Sequence, residues 1–305
     1  MNDDHDEYLW DKKGEPDPTV ARLEAALAPL GYRKRATERA ARETRRPRWP
    51  AYVAVVAAAA VIFLFLWRRD RDHAPSVAVT RLAGAPRVAS VAIGERGELG
   101  VGAWVETDEA SRADIELAAI GHVEVTPNSR VRLVATGDRE QRLELTRGAI
   151  EARVVAPPRI FLVDTPSAQA IDLGCAYRLE VIDDGGSRLR VTQGAVELAG
   201  AGRSAWVPAT AACESHPGRG PGCPWFSDAR EPFVSALRRV EYGDPDDGAL
   251  ASLLASARER DTLTLWHLGE RLAGEPRARV FAKIRDLAHG TWTKEPALGD
   301  LVSHW

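Results

Sequence analysis

The chain lacks most of the signatures by which enzymes declare themselves. Its seven histidines (His5, His73, His122, His216, His267, His289 and His304) are scattered, and it has no His-Glu-x-x-His helix and no Gly-x-Ser-x-Gly elbow. Gly94, Gly97, Gly100 and Gly102 precede Trp104 without the spacing or strand-to-helix context of a phosphate loop, so they read as turns. Asp183 and Asp184 stand beside Gly185-Gly186, where paired carboxylates are turn formers. A calcium loop would need further oxygen ligands at regular steps, and only Ser187 follows. Catalysis and a cofactor are therefore not expected.

Cysteine is scarce as well. Three occur, Cys175, Cys213 and Cys223, and none lies in the first fifty residues, so no metal is implied there. Cys213 and Cys223 have only His216 between them, which matches no zinc-ligand spacing. The net charge of −3 averages opposite local biases and so says nothing about nucleic acid, and no direct nucleic-acid partner is expected.

One stretch lacks polar groups almost entirely. Ala51 to Trp67, AYVAVVAAAAVIFLFLW, has no charged, amide or hydroxyl side chain except Tyr52. As a helix it spans roughly 25 Å, the short end of what crosses a bilayer core. Trp49, Tyr52 and Trp67 sit near its ends, and Arg45, Arg46, Arg48, Arg68, Arg69 and Arg71 bracket it. A buried core helix seldom has such charged brackets and no polar face. A cleaved signal peptide is disfavoured because Phe63, Phe65 and Trp67 occupy the place of the small-residue cleavage site. The stretch is expected to be an uncleaved transmembrane helix. The cationic excess lies upstream (Arg33, Lys34, Arg35, Arg39, Arg42 and the three arginines before Trp49), which puts the N-terminus in the cytoplasm and the long remainder outside.

The first fifty residues pass from an acidic half to a basic one. Asp17 as N-cap and Pro18 at the first helical position open a short amphipathic helix. Val20, Leu23, Leu27 and Leu30 form its apolar stripe, and Pro29 and Gly31 close it. So few apolar groups cannot bury a core. The segment is either a solvated tail or one that folds against a partner, laying Leu9, Trp10, Val20, Leu23 and Leu27 into a groove. The basic run from Arg33 to Arg48 suits anionic lipid.

Beyond His73-Ala74-Pro75-Ser76 the apolar pattern switches to period two. Val123/Val125, Val131/Leu133, Leu143/Leu145, Ile150/Ala152/Val154, Ile160/Leu162, Ile171/Leu173, Tyr177/Leu179/Val181, Leu189/Val191 and Val196/Leu198 alternate, with turn residues between them. Many short strands predict an all-β sandwich, barrel or solenoid. Within them LELTRGAIE (143–151) is echoed by LRVTQGAVE (189–197), and Thr126-Pro127 by Thr165-Pro166. Such repetition favours stacked solenoid coils, with a sandwich of similar hairpins left open. The glycine-rich stretch 215–227 reads as a connector. After it the period is helical: Phe233/Leu237/Val240, then Leu250/Leu253/Leu254, then Leu263 to Leu268 capped by Asp261. A helix opened by Pro276 and ended by Gly290 carries Val280, Phe281, Ile284 and Leu287, and a last one covers 297–305. Trp266, Phe281, Trp292 and Trp305 read as core of a small helical bundle.

Several motifs resemble the FecR-type domain: LGVGAWVETD (99–108), SRADIEL (111–117), VEVTPNSRV (123–131), LTRGAIE (145–151), DTPSAQA (164–170) and DLG (172–174). The resemblance covers about 99–208. It implies an inner-membrane sigma-factor regulator with a cytoplasmic anti-sigma segment, one transmembrane helix and a periplasmic β-rich domain. The helical C-terminus departs from the transducer-docking end of iron-uptake members, which leaves that partnership and an iron signal unsupported.

The expected architecture is a cytoplasmic anti-sigma-like segment (1–49), a transmembrane helix (50–67), a linker (68–76), a periplasmic β-rich FecR-type domain (77–214), a second linker (215–227) and a helical domain (228–305). An extracytoplasmic-function sigma factor is the expected cytoplasmic partner, met by Leu9, Trp10, Val20, Leu23 and Leu27. An envelope protein or ligand is expected outside. Cys175 and Cys213 bracket the end of the β-domain, so their disulfide is preferred over Cys213–Cys223, with three reduced thiols as the remaining possibility. The rival reading is an envelope structural module that binds cell-wall polymer or protein, its tail inert.

Overall fold

The computed structural model describes residues 18–30, 75–117, 119–243, 247–289, 297 and 299. The chain divides into two units, 1–65 and 66–305. In the first, helix α1 (Pro18–Leu27) runs into a 3-10 turn (Ala28–Leu30), close to the predicted limits, and none of the helix's residues is buried. The hydrophobic stretch 51–67, Leu9, Trp10 and the Asp17 cap lie outside the described residues. No described helix is long and apolar enough to cross a membrane.

The second unit is built from two β-sheets. One contains β1 (Ser76–Ala83), β4 (Arg96–Gly100), β6 (Arg112–Glu116), β7 (Gly121–Val125), β12 (Ala176–Val181), β13 (Ser187–Gln193) and β16 (Ala211–His216). The short β17 (Gly220–Pro221) and β18 (Trp225–Phe226) pair beside β16. The other contains β2 (Arg87–Val88), β3 (Val91–Ala92), β5 (Trp104–Glu106), β8 (Arg130–Thr136), β10 (Phe161–Asp164), β11 (Gln169–Asp172), β14 (Ala195–Gly200) and β15 (Arg203–Pro208). The long β9 (Gln141–Val154) belongs to both. Its first half pairs with β8 and, in parallel, with β10; its second half pairs antiparallel with β7 and β12.

Apolar residues of both sheets share one core, among them Ile115, Val123, Leu179 and Leu189 from the first and Val105, Leu133, Leu143 and Val196 from the second. The outward positions carry cross-strand ion pairs such as Arg112 with Glu124, Arg132 with Glu144 and Arg142 with Asp164. Exposed pairs of this kind contribute little each.

The repeated nonapeptide marks corners where the chain changes sheet. In β9 the alternation of buried residues runs through Leu143 and Leu145 before Gly148 and through Ile150, Ala152 and Val154 after it, so the inward phase shifts by one residue. The second copy does the same, from Leu189 and Val191 to Val196 and Leu198 across Gly194. The two crossings run in opposite directions, since β13 leaves the first sheet as β14 enters the second. Both glycines have positive φ, +77° and +73°, which a side chain rarely adopts. At Gly148 a Cβ would come within 2.2 Å of Ser129 Oγ, and at Gly194 within 2.2 Å of the Gly174 carbonyl oxygen.

The repeated Thr-Pro turns carry buried hydroxyl groups. Ser129 Oγ accepts from the Ala149 amide at 2.9 Å and lies 3.0 Å from the Ala149 carbonyl, which Thr126 Oγ1 also reaches at 2.9 Å. Ser167, Ser187 and Ser215 form a second buried set, each hydroxyl 2.6–2.8 Å from the others. Partnered in this way, the hydroxyls avoid the penalty of burial.

Two details differ from the pattern in the sequence. In β10 the buried residues are Phe161 and Val163, whereas Ile160 and Leu162 lie on the half-exposed side. Both phases of Ile-Phe-Leu-Val are apolar, so alternation could not choose; pairing with β9 did. The expected connector 215–227 is instead part of the first sheet, through β17 and β18.

The helices that follow are α2 (Glu231–Tyr242), α3 (Asp247–Ser256), α4 (Thr262–Gly269) and α5 (Gly274–Leu287). Phe233, Leu237, Leu253, Leu265, Val280, Phe281 and Ile284 form their core. Asp261 was expected to cap α4, but its carboxylate turns back to accept from the Arg258 amide at 2.8 Å, closing the 3-10 turn before that helix. Pro276 falls inside α5, which starts at Gly274. Trp292, Trp305 and the helix expected at 297–305 lie largely outside the described residues. Leu263 of α4 is buried in the β-core, and Thr264 Oγ1 donates to the Pro224 carbonyl at 2.7 Å, so the helices are seated on the end of the sheets.

Candidate functional site

The expected partner-binding residues are only partly within the described structure. Leu23 and Leu27, one turn apart on α1, are 57% and 54% exposed, and Val20 beside them is half-buried. Leucines left in water on one helical stripe are available to a partner surface. No other role for them is visible in α1.

The cysteines are all free thiols and buried. Cys175 donates to the Asp172 carboxylate. Burial raises the pKa of both groups, which keeps the thiol protonated. Cys213 faces Leu189 of β13, while Cys175 packs at Gly194, five residues further along the chain and just past the end of that strand. At the rise of a strand this is about 16 Å, far beyond the reach of a disulfide. The preferred Cys175–Cys213 bridge is therefore not formed, and the register separates its members. Cys213 instead lies beside Cys223. Ser215 faces Pro221, His216 faces Gly220, and the Gly222 amide donates to the Glu214 carbonyl at 2.8 Å, so Cys223 comes next, opposite Cys213. Burial also raises both of these thiols.

Around this pair the strands meet the helices through a buried ion pair. Arg271, just past α4, places Nη1 2.8 Å from Glu241 of α2, and its Nη2 donates to the Gly222 and Ser204 carbonyls at 3.1 and 3.3 Å. Glu241 also accepts from the Cys223 amide at 2.7 Å. Four residues before Arg271, His267 is hydrogen-bonded to the Trp206 backbone. Thus two side chains a helical turn apart engage backbone groups two residues apart on β15, whose only ladder partner among the described residues is β14. This arrangement covers an edge that would otherwise invite another strand.

Between β15 and α4 lies a cavity of about 580 Å³. Trp206 and Arg203 come from the strand, Trp266, His267 and Glu270 from the helix and its end. His267 is buried, its Nε2 has no hydrogen-bond partner among the described residues, and its ring meets the Trp266 ring edge-on at 5.0 Å. Sequence reasoning missed this site. The one signal in the chain was the four-residue step from His267 to Arg271 beside an aromatic residue, which a core helix carries equally well.

Burial, reinforced by the nearby Arg271 charge, lowers the His267 pKa from 6.5 to about 3. The unfolded chain therefore binds more protons between these values, so this residue makes stability rise with pH up to about 6.5 and level off above it. Acidification from pH 7 to pH 5 should cost about 2 kcal/mol at His267. Burial raises Asp172 and Asp114, whose contributions slope the other way, but they are common to both proteins in a comparison with His267→Gln. Urea denaturation at the two pH values should show a smaller acid loss in the variant. Equal losses would exclude the assignment.

Among the described residues no three His, Cys, Asp or Glu side chains cluster as metal ligands. Asp183 and Asp184 occupy the β12–β13 turn, where Asp184 Oδ1 accepts from the Gly186 amide at 2.7 Å, as turn formers do.

The fold and its site define a two-sheet β-domain whose end is covered by helices, with a concave surface where the two meet. Residues 103–197, within this domain, match the family model described as FecR protein. Two crystal structures of a candidate anti-sigma factor from Parabacteroides distasonis are also similar, at 16% identity and a TM-score of 0.36. The match covers 45% of this chain and 64% of that one, less than two thirds of its length. A likeness at this level carries no argument about partners. No curated protein matches.

Proposed function

We propose that this protein is a single-pass membrane regulator of an extracytoplasmic-function sigma factor. The observation that carries the reading is the pairing of a FecR domain with a separate helix that leaves Leu23 and Leu27 in water. In this reading α1, together with Leu9 and Trp10, covers a sigma-factor surface in the cytoplasm. The 51–67 stretch crosses the bacterial inner membrane, and the β-domain with its helices meets an envelope protein or ligand. The arginine excess before Ala51 supports that direction. Buried thiols on the far side fit an oxidising compartment as well as a reducing one and do not bear on it.

The test is co-purification of the full chain with candidate sigma factors, followed by titration. Leu23→Asp would place a carboxylate in the apolar contact, costing about 2 kcal/mol or more, roughly thirty-fold in affinity. Deletion of residues 1–30 should change transcription of the sigma factor's targets. Affinity unchanged by Leu23→Asp, or the absence of any sigma partner, would overturn the reading. The rival, an envelope module that binds cell-wall polymer, predicts flat transcription on that deletion; the tryptophan-lined cavity is the observation in its favour.

A further inference from the structure

The sigma-factor contact proposed above does not use the cavity between β15 and α4, yet the cavity is built from side chains of matched character. We propose that it binds a sugar ring carrying a carboxylate, which would be the envelope cue. The proposal rests on the reading that the β-domain faces the cell envelope.

The cavity, about 580 Å³, falls within the range of small-molecule sites. Trp206 and Trp266 contribute indole surface from two different elements, and flat aromatic surface suits the apolar C–H face of a pyranose. The polar groups around them suit its hydroxyls. Glu197 is held by Arg159 at 2.6 Å, Glu270 by Arg277 at 3.0 Å and Arg271 by Glu241 at 2.8 Å, so each of these charges is already balanced. They can exchange hydrogen bonds with a neutral hydroxyl without leaving a bare charge.

Arg203 is the exception. Its side chain is exposed on the rim, and among the described residues no carboxylate pairs with it. One unbalanced guanidinium beside two indoles selects a ligand with a single anionic group, and its planar fork matches a carboxylate in two hydrogen bonds. A purely apolar ligand would strand the carboxylates. A polyphosphate would meet too little positive charge.

The site also lies where occupancy can be felt elsewhere. His267 and Arg271 join helix and strand there through their partners on β15, so a ligand wedged between Trp206 and Trp266 bears on the contact between the sheets and the helices.

The experiment is calorimetric titration of the full-length chain with N-acetylmuramic acid and with N-acetylglucosamine, which lacks the lactyl carboxylate. The acidic sugar should bind at least about tenfold more tightly, the equivalent of one charged hydrogen bond. Arg203→Gln, an exposed change at a strand end, should abolish that preference, and Trp206→Leu should weaken both sugars. No binding of the acidic sugar at concentrations up to about 10 mM would overturn the proposal. So would equal binding of the two sugars, or a preference that survives Arg203→Gln. A phosphatase fused after Trp305 reports independently on which side of the membrane this end lies. An inactive fusion overturns the envelope reading, whereas the titration judges the cavity alone.

Discussion

Gly148→Ala should lose about 4 kcal/mol of stability, enough to leave much of the chain unfolded at physiological temperature. The new Cβ would sit 2.2 Å from Ser129 Oγ and 2.7 Å from the Asn128 carbonyl oxygen, at a φ of +77°. Two costs combine. The left-handed backbone is strained for alanine by about 1–2 kcal/mol. The clash then forces apart Ser129 and the Ala149 peptide, breaking the buried bond by which Ser129 Oγ accepts from the Ala149 amide. Gly102 separates the two effects: its φ is +86°, but nothing among the described residues lies within 4 Å of the place a methyl group would take there. Gly102→Ala should therefore cost only the backbone strain, about 1–2 kcal/mol. Urea denaturation of both variants, with Gly194→Ala as a second corner, measures the difference. A Gly148→Ala chain no less stable than Gly102→Ala would show that the corner tolerates a side chain.

Arg271→Met should cost about 3–5 kcal/mol, because it leaves the Glu241 carboxylate buried and without its countercharge. The Glu241 side chain is only 6% exposed and that of Arg271 15%, so solvent does little to screen either. Arg271 also serves the Gly222 and Ser204 carbonyls, which would be left short of a donor. Lysine is a poor substitute, since a single ammonium cannot reproduce a fork that reaches one carboxylate and two carbonyls. The double change Arg271→Met with Glu241→Met should be less harmful than the two single losses added together, by about 1–3 kcal/mol. Additive losses, or an Arg271→Met protein within about 1 kcal/mol of wild type, would mean that the ion pair does not clasp the helices to the strands.

The β-domain was legible because strands with one dry face alternate. Val123/Val125, Leu143/Leu145, Leu189/Val191 and Val196/Leu198 are all in strands and all buried. The echo at 143–151 and 189–197 was equally visible, but its meaning was not: periodicity describes a face, whereas a change of sheet appears only as a one-residue slip of phase at a glycine. β10 shows the limit from the other side, since four consecutive apolar residues contain no phase to read. The stretch 215–227 misled through its composition. Glycine and proline mark turns, and here they mark tight turns within a sheet edge that helices then cover. The exposed stripe of α1 could be read directly, because a short helix with no core of its own must show its leucines. The junction site could not. Trp206, Glu241 and the neighbouring His267 and Arg271 come from three distant parts of the chain, and each taken alone looks like an ordinary core or surface residue.

A strand that serves two sheets has a mechanical meaning. β9 gives its first half to one ladder and its second half to the other, with Gly148 as the corner between them. Neither layer can peel away while β9 stays in place, and releasing β9 removes the central rung of both. The domain therefore has no line along which it can open halfway. A disturbance at one face is either resisted by the whole body or lets the whole body go, which is the behaviour of a fuse rather than of a hinge.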